Sequence, residues 1–113
     1  GFPLAHALRL ATQRQGEGEP TQAARDVLAE RKGQIEREGW SLKNDDGAKE
    51  FTLSRAAACY ALSAANYADA NNEWPWQDEY WKPTNPRRDL VKAGALILAE
   101  IERLDRAATT SKD

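Results

Sequence analysis

The sequence predicts a compact all-α single domain of three principal helices and a tryptophan-rich irregular loop. Three observations carry that expectation. Apolar residues recur at helical spacing in three separate segments, and no segment sustains the period-two alternation of a half-buried strand. Cap and stop residues fall where three helices would need them. Pro75 and Pro83 bar a regular helix from the stretch holding Trp74, Trp76 and Trp81.

Taken in order, Leu4, Ala7, Leu8 and Ala11 mark a short, weak amphipathic helix over 4–14, ended by Gly16, Gly18 and Pro20. Residues 1–20 read as an N-terminal arm, 21–107 as the helical domain and 108–113 as a fraying tail. The first strong helix spans about 22–38, with Thr21 as its N-cap and Gly39 as the residue that ends it. Residues 40–51 form a loop, in which Trp40 is expected to pack back on the last helical turn. Thr52 caps a helix over 53–68, and its run of alanines, Ala56-Ala57-Ala58 with Ala61, Ala64 and Ala65, admits a close helical neighbour. The tryptophan-rich loop covers 69–84. Asn85-Pro86, a cap followed by proline at the first helical position, opens a last helix over 86–107. There Leu90, Gly94, Ile97, Leu98, Ile101 and Leu104 share one face, widened by Ala93 and Leu96. So wide a stripe predicts the central, most buried helix. Exposure of Ile97 or Ile101 would instead assign the stripe to an oligomer.

A chain of 113 residues with 41% hydrophobic and 30% charged residues is an ordinary single globular domain. The net charge of −2 argues against non-specific nucleic-acid binding. Cys59 is the only cysteine, which excludes an internal disulfide and fits a reducing compartment. No apolar run approaches the ~20 residues of a membrane span. Gly1 to Leu8 lacks a signal-peptide pattern, and the expected location is the cytoplasm. The chain opens on glycine and has no methionine, so its first residues are read as partly foreign.

Several groups of residues are suited to a binding site. On the first strong helix Arg31, Gln34 and Glu38 fall in the same arc as Val27, Leu28 and Ile35. Polar groups on an inward face need partners, so they mark either a buried network or a pocket floor. Arg87, Arg88 and Lys92 open the last helix, where the N-terminus favours anions, and two arginines suit a phosphate. The same arginines also suit surface pairs with Asp89, Glu79 or Asp78. The tryptophans either plug one end of the core or wall a pocket for a flat ligand. Together Arg31, Gln34, Glu38, Trp74, Trp76, Arg87 and Arg88 are the candidate ligand-binding residues of one concave patch. Glu30, Glu38, Asp45, Asp46 and Glu50 resemble a magnesium set only loosely, and Asp45-Asp46-Gly47 serves more simply as a turn. His6 is the lone histidine. No metal site, catalytic group or cofactor is expected.

The chain resembles a family of small, largely uncharacterised proteins encoded by tailed bacteriophages and prophages. The matching blocks are Glu30-Arg31, Gln34-Ile35, Glu38-Gly39-Trp40, Asp45-Asp46, residues 56–61, Trp74-Pro75-Trp76, Trp81-Lys82-Pro83, Arg87-Arg88-Asp89 through Ile97, and residues 99–104. They cover about residues 26–106. The resemblance implies a phage setting but carries no activity. Leu28-Ala29-Glu30, Glu38-Gly39-Trp40, Asp45-Asp46 and Trp81-Lys82-Pro83 are also similar to the small repeat domain named after ryanodine receptors. Ser41 and Leu42 depart from the tyrosine and glycine usual there.

Three functions follow as expectations. The first is an accessory protein that binds a nucleotide-like molecule, such as a host defence signal, without turning it over. The second is an inhibitor that grips a host protein through the aromatic loop. The third is a metal-dependent nucleotide pyrophosphohydrolase, for which the paired carboxylate motifs are incomplete: Glu100-Ile101-Glu102-Arg103 has the wrong spacing. No membrane partner is expected, nucleic acid is disfavoured, and a homo-oligomer is left open.

Overall fold

A computed structural model describes residues 18–37 and 51–111. The regular structure consists of helices α1 (Gln22–Arg37), α2 (Thr52–Ala64) and α3 (Pro86–Ser111). A single 3-10 turn, Asp78–Tyr80, interrupts the tryptophan-rich loop. Among the described residues there is no strand, and the protein is all-α. The expected helix over 4–14, and Glu38, Gly39, Trp40, Asp45, Asp46 and Glu50, lie outside the described residues.

Two of the three helix starts follow the local chemistry of their caps. Thr21 Oγ1 accepts the Ala24 amide at 3.2 Å, and Asn85 Oδ1 accepts the Arg88 amide at 2.9 Å, with Pro86 opening α3. The start of α2 differs from expectation. Thr52 is its first helical residue rather than its cap, and Phe51 precedes it in a left-handed conformation (φ 70) without a side-chain cap. Its end differs too. Asn66 takes a left-handed φ of 65, so that its amide reaches Ser63 O at 3.0 Å and the Tyr67 amide reaches Leu62 O at 3.1 Å. This double closure stops the helix at Ala64, not 68, because asparagine tolerates the left-handed region that most residues avoid. Conversely, α3 runs on to Ser111, past the expected 107, since neither glycine nor proline interrupts Ala107 to Ser111.

α3 is the central helix. Both α1 and α2 pack on it, and they do not pack directly on each other. The core joins Leu53, Ala56, Ala57 and Tyr60 of α2 to Ala93, Leu96 and Ala99 of α3. Small side chains dominate this contact, which lets the two helix backbones approach closely. On the α1 side Gly94 plays the same part: a Cβ added there would stand 3.2 Å from the Val27 methyls.

The buried face of α3 is therefore not the expected one. Val91, Ala93, Ala95, Leu96 and Ala99 are buried, whereas Leu90, Ile97, Ile101 and Leu104 are each about half exposed. Reading by apolar periodicity weighs the large residues. Close packing on two flanks selects the small ones, and it turns the isoleucines outward.

Polar groups pin the helices at both ends of this contact. Asp89, almost fully buried, accepts the Thr84 amide at 2.8 Å and the Ser63 hydroxyl at 3.1 Å, tying α3 to the loop before it and to α2. Glu100, also buried, accepts Ser54 Oγ at 3.3 Å and Arg103 Nε at 2.6 Å. Carboxylates with such partners are tolerated in an interior that would reject them alone.

Cys59 is buried, and burial pushes its thiol above the usual range. The native protein at neutral pH should therefore resist iodoacetamide, while urea-unfolded protein labels fully; mass spectrometry reads both. Rapid native labelling would mean that α2 and α3 separate readily. Among the described residues no helix is long and apolar enough to cross a membrane.

Candidate functional site

Because α1 and α2 flank α3 without touching, a groove remains between them. The tryptophan-rich loop, leaving α2, folds over its open side and makes it a cleft of about 1170 Å³. Its floor is the face of α3 that carries Arg88, Lys92 and Leu96, residues one helical turn apart. From α1 come Glu30 and Gln34, again one turn apart. The remaining wall is aromatic.

That wall is organised around Tyr60 of α2. Its ring lies 4.8 Å from that of Trp81 and 5.5 Å, edge-on, from that of Trp74. Trp74 continues the cluster to Trp76, edge-on at 5.2 Å, and to Trp81 at 5.0 Å. The Tyr60 hydroxyl accepts the Lys82 amide at 3.2 Å, and Trp74 Nε1 donates to Gln77 O at 3.1 Å. The three tryptophans pack partly buried against the core, and Trp74 and Trp76 also face the cleft. The loop is thus both a core plug and a pocket wall, two uses that the sequence leaves as alternatives.

Charge in the cleft is ordered. Arg88 Nη2 meets Glu30 Oε1 at 2.5 Å, and Glu30 is buried. Lys92 Nζ donates to Lys82 O at 2.5 Å and lies 5.3 Å from the centre of the Tyr60 ring. Among the described lining residues, three cations (Arg88, Lys92 and Lys82) stand against one carboxylate, Glu30. Gln34 is 4% exposed, and its Oε1 finds no hydrogen-bond partner among the described residues. A buried carboxamide oxygen without a donor is costly.

Of the residues expected in one patch, Gln34, Trp74, Trp76 and Arg88 come together in the cleft. Arg31 does not. It is buried against α3, with Nε 3.1 Å and Nη2 3.0 Å from Glu102 Oε1, and it helps fasten α1. Arg87 points into a smaller neighbouring groove of about 470 Å³ and pairs with Asp26 at 2.9 Å. Together with Gln22, Arg87 holds the Asp26 carboxyl below its ordinary pKa, the Gln22 hydrogen bond being the larger cause. Arg87 and Arg88 thus pair with Asp26 and Glu30 on α1 rather than with the expected Asp89, Glu79 or Asp78. Glu38 lies outside the described residues. Sequence reasoning missed Tyr60 and Tyr80 as lining residues. It assigned Glu30 only to a metal set and Lys92 only to the helix N-terminus. Helical spacing could have found two of them, since Lys92 lies one turn beyond Arg88 and Glu30 one turn before Gln34.

Comparison with known proteins gives no second line of evidence. No family model matches the chain, and neither does any curated protein or solved structure. What the cleft does must be argued from its own chemistry. Among the described residues no group of histidine, cysteine, aspartate and glutamate is placed to hold a metal ion.

Proposed function

We propose that the protein binds a nucleotide-like small molecule in this cleft without transforming it. The observation that carries the reading is Gln34, a buried carboxamide whose oxygen has no donor among the described residues, on the wall of an aromatic, cation-bearing cleft. A nucleobase would supply a flat face for Trp74 and Trp76 and an amino or imino donor for the Gln34 oxygen. Phosphate oxygens would meet Arg88 and Lys92, with Glu30 holding the guanidinium in place. The phage resemblance gives this binding a setting: an accessory protein that sequesters a host signalling nucleotide in the host cytoplasm. That setting is analogy, and the chemistry does not depend on it.

Calorimetry against a panel of linear and cyclic nucleotides tests the reading. The wild-type protein should bind at least one of them. Lys92→Ala should weaken that binding by tenfold or more if it loses one charge-assisted phosphate contact, worth ~1.5–3 kcal/mol. Trp76→Ala should weaken it by a similar factor through lost stacking, ~1–3 kcal/mol per base. Neither residue is one of the buried side chains of the α2–α3 core, Leu53, Ala56, Ala57, Tyr60, Ala93, Leu96 and Ala99. If no nucleotide binds at millimolar concentration, the reading fails. The exposed Tyr80, on the 3-10 turn at the cleft's edge, then favours the host-protein inhibitor. The pyrophosphohydrolase is the weakest reading: Glu30 is engaged by Arg88, while Glu38, Asp45, Asp46 and Glu50 lie outside the described residues.

A further inference from the structure

The polar groups of the cleft differ in depth. Gln34 is buried, Arg88 and Lys92 are partly buried, and Lys82 is exposed. An uncharged group can be carried to the Gln34 wall at little cost, whereas a phosphate keeps part of its hydration beside the outer cations. The base of a bound nucleotide therefore goes inward and its phosphate stays near the mouth.

Gln34 then discriminates among bases. Its Oε1 finds no donor among the described residues, and a carboxamide offers one acceptor beside one donor. Adenine presents the complement, the N6 amino donor beside the N7 acceptor, which is the edge that glutamine pairs with in two hydrogen bonds. On the same edge guanine shows two acceptors, O6 and N7, which suit arginine or lysine and would leave Gln34 Oε1 without a donor. The opposite edge of guanine shows N1–H and N2–H donors, which suit a carboxylate. Glu30, the one carboxylate among the described lining residues, is engaged by Arg88. Cytosine offers its N4 amino group, again a partner for carboxylates, and its single ring covers less of the aromatic wall than a purine does.

Charge limits the phosphate part. Among the described lining residues Arg88, Lys92 and Lys82 stand against Glu30, an excess of two positive charges. One phosphate monoester, with ~1.5–2 negative charges at neutral pH, balances that excess. Arg88 and Lys92 are one helical turn apart, with ~5–6 Å between their Cβ atoms, so both can reach oxygens of a single phosphoryl group.

Building on the reading of the cleft as a nucleotide site, we infer that its ligand is an adenine nucleotide with one phosphate monoester. The N6 amino group donates to Gln34 Oε1, the phosphate lies on Arg88 and Lys92, and Gln34 is the residue that sets base specificity.

Calorimetry at neutral pH with adenosine, guanosine, inosine and cytidine 5′-monophosphates, and with adenosine 5′-triphosphate, provides the test. Adenosine monophosphate should bind about tenfold or more tighter than the guanosine and inosine compounds, which carry an oxygen in place of the N6 amino group. The triphosphate should bind no tighter than the monophosphate. Gln34→Met removes the orphaned acceptor. It should bring the adenosine and inosine monophosphates within about threefold of each other, without lowering the melting temperature of the unliganded protein. Gln34→Glu, of nearly the same size, gives an independent reading should the methionine variant not fold: the lead of adenosine over guanosine monophosphate should fall about tenfold or more. Binding without base preference, a preference for guanosine or inosine, a much tighter triphosphate, or a preference unmoved by the Gln34 variants overturns this inference and leaves the nucleotide reading standing. Binding of no nucleotide at all overturns both.

Discussion

Replacing Leu96 with alanine should lower the unfolding free energy by about 3–5 kcal/mol, the upper part of the range for buried leucine truncations. Leu96, 1% exposed, is the largest fully buried side chain among the described residues and belongs to the α2–α3 core. Its core neighbours include Ala56, Ala57, Ala93 and Ala99, whose short side chains cannot swing into the space vacated. The cavity should stay open, and its cost adds to the lost transfer energy. Ile97, the next residue, is about half exposed, and its alanine variant should cost under about 1 kcal/mol in dilute protein. Urea unfolding followed by circular dichroism, at one low protein concentration, compares the two. Equal losses, or a larger loss at Ile97, would mean that α3 buries its isoleucine face after all.

Tyr60→Ala should cost a similar 3–5 kcal/mol, the range for large aromatic truncations, and should also dismantle the cleft. The ring is the hub on which Trp74 and Trp81 rest, it lies within cation–π distance of Lys92, and its hydroxyl holds the Lys82 amide. With the ring removed, the loop loses its stacking on α2 through Trp74 and Trp81 and the hydrogen bond to the Lys82 amide. Tryptophan emission should shift to the red as the indoles gain water. Tyr60→Phe separates the two roles of the side chain. It retains the ring and loses one hydrogen bond, so about 0.5–1.5 kcal/mol is expected with emission nearly unchanged. Wild-type emission in Tyr60→Ala would show that the tryptophans are held by something other than this ring.

Local chemistry was readable residue by residue. Thr21, Asn85 and Pro86 act within one turn of where they stand, and their roles at the starts of α1 and α3 follow from sequence alone. Asn66 acts just as locally and could have been read; a left-handed asparagine is simply a weaker signal than a glycine. Part of the candidate site was legible for a related reason. Gln34 is a polar residue on an apolar arc, and Arg88 follows directly on an aromatic loop. Arg31 and Arg87 carry the same sequence signals but are turned toward Glu102 and Asp26. Nothing local distinguishes Gln34 from Arg31, because only the placement of α3 decides which of them faces a helix and which faces the groove.

The sequence by itself determined the all-α class, the three described helices and two of their starts, all of which depend on near neighbours along the chain. The tertiary structure decided which face of α3 is inside. That choice turns on how closely two flanking helices can approach. Ala93, Ala99 and Gly94 permit a backbone approach that Ile97 and Ile101 would block, so the small residues are buried and the large ones are left outside. The cleft follows from the same geometry. Helices α1 and α2, each drawn close to α3 and not to each other, leave between them the groove that Gln34, Arg88 and the tryptophans line.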